Sequence, residues 1–430
     1  MPQPTPEENH LIDLIRRPNF KPIRRCYIKR RLTNGIYEPE WVLISQISGV
    51  NTVSKWGSYS IKTEETETGD IGEFSISQLT MEFKNDDGKF NWENDNRSLW
   101  YGYLNRKFTK IRIETAYFDF DLGAEVGNTV IFEGLVDKVT GGDNQKASVV
   151  CIGYQDVLHK IDIRSAWPGV VPLTIMASEL VALMLGNARV MEFFEVGSIN
   201  LGVDYKIKVR EGNTFLLTLT FWHNLKMICK KSSSIPLIIG NKLYVQDSNA
   251  GSELPFIFNG VGSGQNIDIY KIDQDQEGAD KVRVWWKVKD TSIEAKSTDP
   301  ILLLKYLDSP EEVDLSEVDT TTEPYKQSIV QRLLTKWQYP IPTVTLEVRY
   351  MNGIVWPLHK ARINNAGLFT ETEDGFFWNG WIWDDGSKWN GLSGAVSIFP
   401  DQLWLVDKVT YDVDKWKTSL TLSKYTLTPL

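Results

Sequence analysis

The chain has 430 residues, 42% apolar and 24% charged, with a formal net charge of −9, a length and balance that fit about two to four globular domains with sizeable cores. Cys26, Cys151 and Cys229 are odd in number, far apart and without metal-ligand spacing, which excludes a disulfide framework and reads as reduced thiols of a chain folded in the cytoplasm. The polar N-terminus argues against a signal peptide, and no apolar run approaches the roughly 18 residues of a membrane span.

Residues 1–24 read as an N-terminal arm, with Pro2, Pro4 and Pro6, an amphipathic piece around Leu11, Leu14 and Ile15, then Pro18 and Pro22 to break it. Between Arg16 and Arg31 lie eight bases and no acid, leaving 39 bases against 56 acids elsewhere, a net −17. Such asymmetry suits docking of Arg24, Arg25, Arg30 and Arg31 on an acidic neighbour, or else a solvated arm with no partner. From Cys26 the pattern is β: Cys26 to Leu32, Glu40 to Ser45, Ile61 to Glu64 and Phe74 to Phe83, the last with its apolar set changing faces midway, as at a bulge or a change of sheet. Asn85-Asp86-Asp87-Gly88-Lys89-Phe90 supplies a tight turn, with Phe90 and Trp92 placed to fold back over the strand end. Strands at Lys110 to Tyr117, Val130 to Val139 and Ala147 to Gly153 complete a first β domain over 25–165.

A small α/β insert is expected over 166–265. Apolar residues at 173, 176, 180, 183 and 184 predict a helix over 173–185 with Thr174 as N-cap candidate. A second helix is expected after Thr220, burying Trp222, Leu225, Ile228 and Cys229, with Lys226, Lys230 and Lys231 toward its C-terminus where cations suit the dipole. A hairpin follows, Pro236 to Ile239 and Leu243 to Gln246 around Gly240-Asn241. A second β domain over 266–430 carries strands at Ile267 to Ile272, Lys281 to Val288 and Thr343 to Tyr350, an exposed acidic linker over 310–324, a helix from Lys326 to Trp337, a Trp-rich hairpin over 376–391 and a closing hairpin.

One hexapeptide, Leu-Val-Asp-Lys-Val-Thr, occurs at 135–140 and again at 405–410, each time opening a closing hairpin that ends in a Tyr, Tyr154 or Tyr425. It indicates either two copies of one β module or convergent strand chemistry. Two modules per chain in a three-fold ring would place six quasi-equivalent modules about the axis, and such a ring can mate with a six-fold tube.

Catalytic signals are weak. His10, His159, His223 and His359 share no ligand motif, and no nucleophile elbow, phosphate loop or dinucleotide fingerprint is present. Gly260 to Gly264 reads as a flexible connector, and a carboxylate pair such as Glu371 with Asp384 has no spacing that marks a glycosidase. No catalytic, cofactor or metal site is expected. Trp378 and Trp389, which open two Trp-Asn-Gly triplets, and Trp381 and Trp383 between them can cover a hairpin without a core of its own, contact a neighbouring subunit, or stack on sugar rings.

The turn Asn85 to Phe90, then Arg106, the β stretch Lys110 to Tyr117 and Phe132-Glu133-Gly134-Leu135-Val136-Asp137 resemble the first tube-like domain of phage baseplate hub and tail-tip proteins. The helix over 173–185, the helix after Thr220 and Leu243-Tyr244-Val245 look like the small domain between the tube-like halves, and Leu403 to Leu422 is similar to the closing hairpin. The Trp-rich hairpin and acidic linker match no family feature. The resemblance implies a mainly β fold with a small α/β insert and two tube-like barrel or sandwich modules, in a trimeric ring with pseudo-six-fold symmetry. It further implies a non-enzymatic virion tail protein, assembled in the host cytoplasm, that adapts the six-fold tube to a three-fold tip and forms the channel for DNA ejection. Implied partners are two further copies, a distal tail or tail-tube protein above, a central spike, fibre or tail-tip protein below, and tape-measure protein and genomic DNA in the lumen. The alternative is a carbohydrate-binding or glycan-degrading tail protein that uses the Trp-rich hairpin in host attachment.

Overall fold

A computed structural model describes residues 21–62, 77–90, 104, 109–140, 146–259, 267–273, 283–287, 292–313, 323–337, 343–348, 355–364 and 403–425, apart from single positions within these spans. The Trp-rich stretch with Trp378, Trp381, Trp383 and Trp389, the first twenty residues, Trp92, Arg106, the Gly260 to Gly264 connector and 314–322 of the acidic linker lie outside the described residues.

The fold is mainly β. Its first strands are β1 (Lys21–Lys29), β2 (Val42–Leu43), β3 (Gln46–Ile47), β4 (Val50–Asn51), β5 (Val53–Lys55), β6 (Ser58–Lys62), β7 (Gln78–Lys84), β8 (Lys110–Asp119), β9 (Ala124–Thr140) and β10 (Lys146–Gly153). Seven of them form one sheet in the order β2-β1-β8-β9-β10-β7-β5. The alternation in β7 is regular over its described length, with Leu79, Met81 and Phe83 fully buried, as expected where one sheet face meets a core. Strand β1 starts earlier than Cys26 and runs through Pro22, which was expected to end the arm. Pro22 lies opposite Tyr117 of β8, while β2 flanks only Tyr27 and Ile28, so its missing N–H interrupts no second ladder. Beyond β7, Gly88 (φ +69°) donates to the Asn85 carbonyl and Asn85 Oδ1 accepts from the Phe90 N–H; Phe90 folds back on Phe83, ring centroids 4.9 Å apart.

The middle of the chain holds α1 (Gln155–Leu158), β11 (Thr174–Met176), α2 (Ala177–Leu185), α3 (Ala188–Met191), β12 (Glu195–Ile199), β13 (Lys206–Lys208), β14 (Arg210–Glu211), β15 (Thr214–Phe215), α4 (Phe221–Ser232), β16 (Ser234–Ile239) and β17 (Lys242–Asp247). Thr174 is not an N-cap: it pairs with Lys208 in a short β11–β13 ladder, and α2 begins only at Ala177. Its first turn is capped from a distance by Asp204, whose carboxylate accepts the Ser178 N–H at 3.0 Å and hydroxyl at 2.6 Å. Helix α4 follows the sequence signals closely. Thr220 Oγ1 accepts from the His223 N–H at 3.3 Å, and Trp222, Leu225, Ile228 and Cys229 are buried.

The remainder comprises β18 (Glu253–Asn259), β19 (Ile267–Asp273), β20 (Arg283–Lys287), β21 (Ser292–Lys296), α5 (Pro300–Tyr306), β22 (Pro310–Glu312), α6 (Glu323–Trp337), β23 (Thr343–Val348), β24 (Lys360–Asn364), β25 (Leu403–Asp412) and β26 (Lys417–Lys424). A second large sheet runs β18-β24-β25-β26-β23-β19, with β6 joined to β25. Strands β21-β20-β22 form a separate small sheet. The acidic segment thus opens as a strand, Pro310 to Glu312 running parallel to β20. Helix α6 buries Ile329, Val330, Leu333 and Leu334 in the same core as α2 and α4, together with Ala295 and Val313. Its apolar face is therefore spent on the middle of the chain, while the two large sheets share another core that joins Cys26, Leu79, Ile113 and Val149 to Leu346, Ile363, Val409 and Leu420.

Candidate assembly interface

The hexapeptide repeat is also a repeat of backbone geometry. In β9 against β10, Leu135 pairs with Ile152, Val136 with Cys151 and Lys138 with Val150; Asp137 is the extra residue of a bulge. In β25 against β26, Leu405 pairs with Ser423, Val406 with Leu422 and Lys408 with Thr421; Asp407 is the extra residue. The bulge thus falls at the same Asp in both copies.

The neighbours repeat as well. Lys110-Ile111-Arg112-Ile113 and Lys360-Ala361-Arg362-Ile363 open β8 and β24, and Lys110 faces Leu135 as Lys360 faces Leu405. Just before them, the Val136 N–H donates to the Thr109 carbonyl at 2.9 Å and the Val406 N–H to the His359 carbonyl at 2.8 Å. On the other side, Leu79-Thr80-Met81-Glu82-Phe83 of β7 matches Val344-Thr345-Leu346-Glu347-Val348 of β23, with Leu79 opposite Cys151 and Val344 opposite Leu422. Glu82 pairs with Lys146 at 3.3 Å and Glu347 pairs with Lys417, each lysine opening the closing strand. Val53 of β5 lies opposite Phe83, and Ile267 of β19 lies opposite Val348. Five strands in the order 8-9-10-7-5 therefore correspond to 24-25-26-23-19. Sequence reasoning found only the hexapeptide. The Lys-x-Arg-Ile and apolar-Thr-apolar-Glu-apolar matches were too short to find without the register, because the spacing between motifs differs in the two halves.

The two sheets are joined by a strand that changes sides. After β5, the chain turns at Gly57 and β6 leaves the first sheet to pair antiparallel with β25, Ile61 opposite Val409 and Tyr59 opposite Tyr411. Gly57 has φ +76°, and a Cβ there would lie 2.1 Å from the Thr80 carbonyl oxygen, so no other residue fits the turn. Tyr59 is the pivot. Its hydroxyl donates to the Ile131 carbonyl of β9, while its ring lies 5.3 Å from Phe132 and 5.5 Å from Tyr411. The Tyr411 hydroxyl donates to the Val355 carbonyl at 2.8 Å, and Ser60 Oγ lies 2.8 Å from Thr410 Oγ1.

The arginines expected to dock on a neighbour are engaged within the chain. Arg24 donates to the Val413 and Asp414 carbonyls and lies 5.3 Å from the Trp56 ring; burial pulls its pKa down against the pull of Asp414. Arg25 pairs with Glu125, Arg30 with Glu38, and Arg31 with Glu192 at 3.2 Å. A further cation was missed by sequence reasoning. Lys110 is 9% exposed, donates to the Glu192 carbonyl at 2.5 Å, and sits 4.4 Å from the Tyr37 ring, 4.9 Å from Phe193 and 5.5 Å from Tyr154. Burial lowers its pKa to about 8, against the opposing pull of Glu133 and Glu192. Glu133 in turn accepts from Arg112 at 2.9 Å and from the Tyr154 hydroxyl at 2.8 Å. This cluster fastens the first sheet to the middle of the chain. Among the described residues, no group of three His, Cys, Asp or Glu is placed to hold a metal ion, and no helix is long and apolar enough to cross a membrane.

No family model and no curated relative matches the chain. Among solved structures it is similar to the tail protein from Neisseria meningitidis MC58, with 12% identity, 93% of this chain and 96% of that one covered, and a TM-score of 0.50. Prophage tail protein gp18 from Listeria monocytogenes EGD-e (9% identity, 94% and 95% covered, TM-score 0.48) and the 43 kDa tail protein of prophage MuSo2 from Shewanella oneidensis (10%, 94% and 98%, 0.47) are similar over the same extent. The likeness is one of fold, along almost the whole chain: the fold is that of a phage-type tail protein, in keeping with the resemblance carried by Asn85 to Phe90 and Phe132 to Asp137.

Proposed function

We propose that the chain is a non-enzymatic structural component of a phage tail, a hub of which three copies close a ring at the distal end of the tail tube. Each copy contributes two equivalent β modules, so six surround the axis and meet a six-fold tube above while the ring keeps three-fold symmetry for a spike, fibre or tip protein below. The observation that carries this reading is the correspondence of the two sheets, strand for strand and bulge for bulge, within one chain. Its modules are the expected 25–165 and 266–430, with the first reaching back to Lys21 through β1 and the second taking β18 (Glu253–Asn259) into its sheet. The net charge of −9 fits a channel through which DNA slides without adhering, since phosphate binding depends on clustered Lys and Arg.

Light scattering with negative-stain imaging of the purified protein tests the proposal. A ring of three times the 49.2 kDa chain mass with a central hole is the expected result. A closed dimer, or a monomer at every concentration reached, would overturn it.

A further inference from the structure

The five-strand correspondence breaks beyond β8 and β24, where β1 runs antiparallel and β18 parallel, and it breaks again at the edge of the repeated hexapeptide. In the second sheet, β24 leaves β25 at Leu405, and β6 takes over the same edge from Lys408 to Asp412. In the first sheet, β8 leaves β9 at Leu135, and among the described residues no strand takes over from Lys138 to Thr140. The side chains register the difference position by position. Val409 is fully buried beneath β6, whereas its equivalent Val139 is half-buried; Lys408 and Thr410 are half-buried, whereas Lys138 and Thr140 are exposed.

From this we infer that the Lys138 to Thr140 edge of β9 is the docking site for an extended strand from a second copy of the chain. The inference rests on the ring proposed above and names one of its contacts. The occupant is a second copy because the chain already contains the completed contact: its first module donates β6 to the hexapeptide edge of its own second module. Repeating that donation from the second module of one copy to the first module of the next gives a head-to-tail contact, which closes a ring when the rotation closes. An open strand edge is a ready template for such pairing. Lys138 does not block it, since Lys408 occupies the same position in a fully paired strand.

Hydrogen exchange of the full-length protein, read by mass spectrometry on peptides covering 136–146 and 406–414, tests the inference when dilute samples are compared with concentrated ones whose mass is tracked by light scattering. The 408–412 amides paired with β6 should be protected in both. Amides of 138–140 that point to the open edge should exchange freely in the monomer and slow by roughly tenfold or more on assembly. A ring that forms while 138–140 remain unprotected overturns this contact and leaves the ring standing. A mass that never exceeds the monomer's overturns both.

Discussion

At the scale of the residue, Lys110 makes a sharp claim about pH. A lysine whose folded-state pKa lies near 8 rather than 10.5 binds its proton less tightly in the folded state than in the unfolded chain. Its penalty is therefore full below about pH 8 and fades as pH rises from there toward the unfolded value. Compared with a Lys110→Met variant, the wild-type protein should gain about 2 kcal/mol between pH 7 and pH 10; urea midpoints of the two proteins across that range measure it. An unchanging difference would mean that the ammonium is solvated. Cys26, Cys151 and Cys229 are all free and fully buried, and burial pushes every one of these thiols up. Native protein should leave all three unmodified by an aromatic disulfide reagent, and denatured protein should titrate all three. Tyr59 carries both an inter-sheet hydrogen bond and two ring contacts, so Tyr59→Phe should cost about 1 kcal/mol and Tyr59→Ala about 3–5 kcal/mol, measured by denaturant unfolding.

At the scale of the element, what could be read from the sequence was what short-range chemistry determines. Thr220, the Lys226, Lys230 and Lys231 series and a buried face of period 3.6 placed α4 almost to the residue, and Thr220→Ala should cost it about 1 kcal/mol. The hairpin β16–β17 was equally readable, because Gly240-Asn241 between two apolar runs leaves little choice. Helix α2 was misread at its start because its cap is Asp204, distant in sequence and invisible to a local rule. The destination of β6 was unreadable for the same reason, since Ile61 finds Val409 only after both sheets exist. Within the candidate interface, the hexapeptide showed that something repeats, but its bulge showed only in the pairing register. The arginines of the basic segment were read as docking on an acidic neighbour or as a solvated arm, because sequence gives charge and not neighbours; within the chain they contact Val413, Glu125, Glu38 and Glu192. Deleting Asp137 or Asp407 removes the extra residue of each bulge and leaves a regular ladder, with Val409 and Tyr411, 0% and 1% exposed, still facing the shared core, so the near-ultraviolet circular dichroism signal should persist. Deleting Thr410, which is paired with Ser419, should instead turn Tyr411 to the other face and abolish that signal.

At the scale of the whole molecule, the two large sheets are joined by a shared core and, among the described residues, by a crossing strand and a few polar ties. They share one core, and among the described residues the backbone ladder that ties them is β6, continuing directly from β5 of the first sheet, on β25 of the second. Arg24 on the Val413 and Asp414 carbonyls, and Asp414 Oδ1 accepting the Trp56 N–H at 3.1 Å, reinforce the end of that ladder. Ile61, 8% exposed against a fully buried Val409, is the residue of β6 whose change attacks the ladder without touching either sheet's own strands. Ile61→Asp would bury a carboxylate with no partner, a change that costs more than β6 gains by staying in place, so β6 should leave β25. Each sheet keeps its own hairpins, and the first remains fastened to the middle of the chain by Lys110 and Glu133. Calorimetry of the variant should then show two separated unfolding transitions in place of one, the earlier belonging to the second sheet. A single transition moved uniformly to lower temperature would mean that the shared core, and not the crossing strand, makes the sheets fold as one.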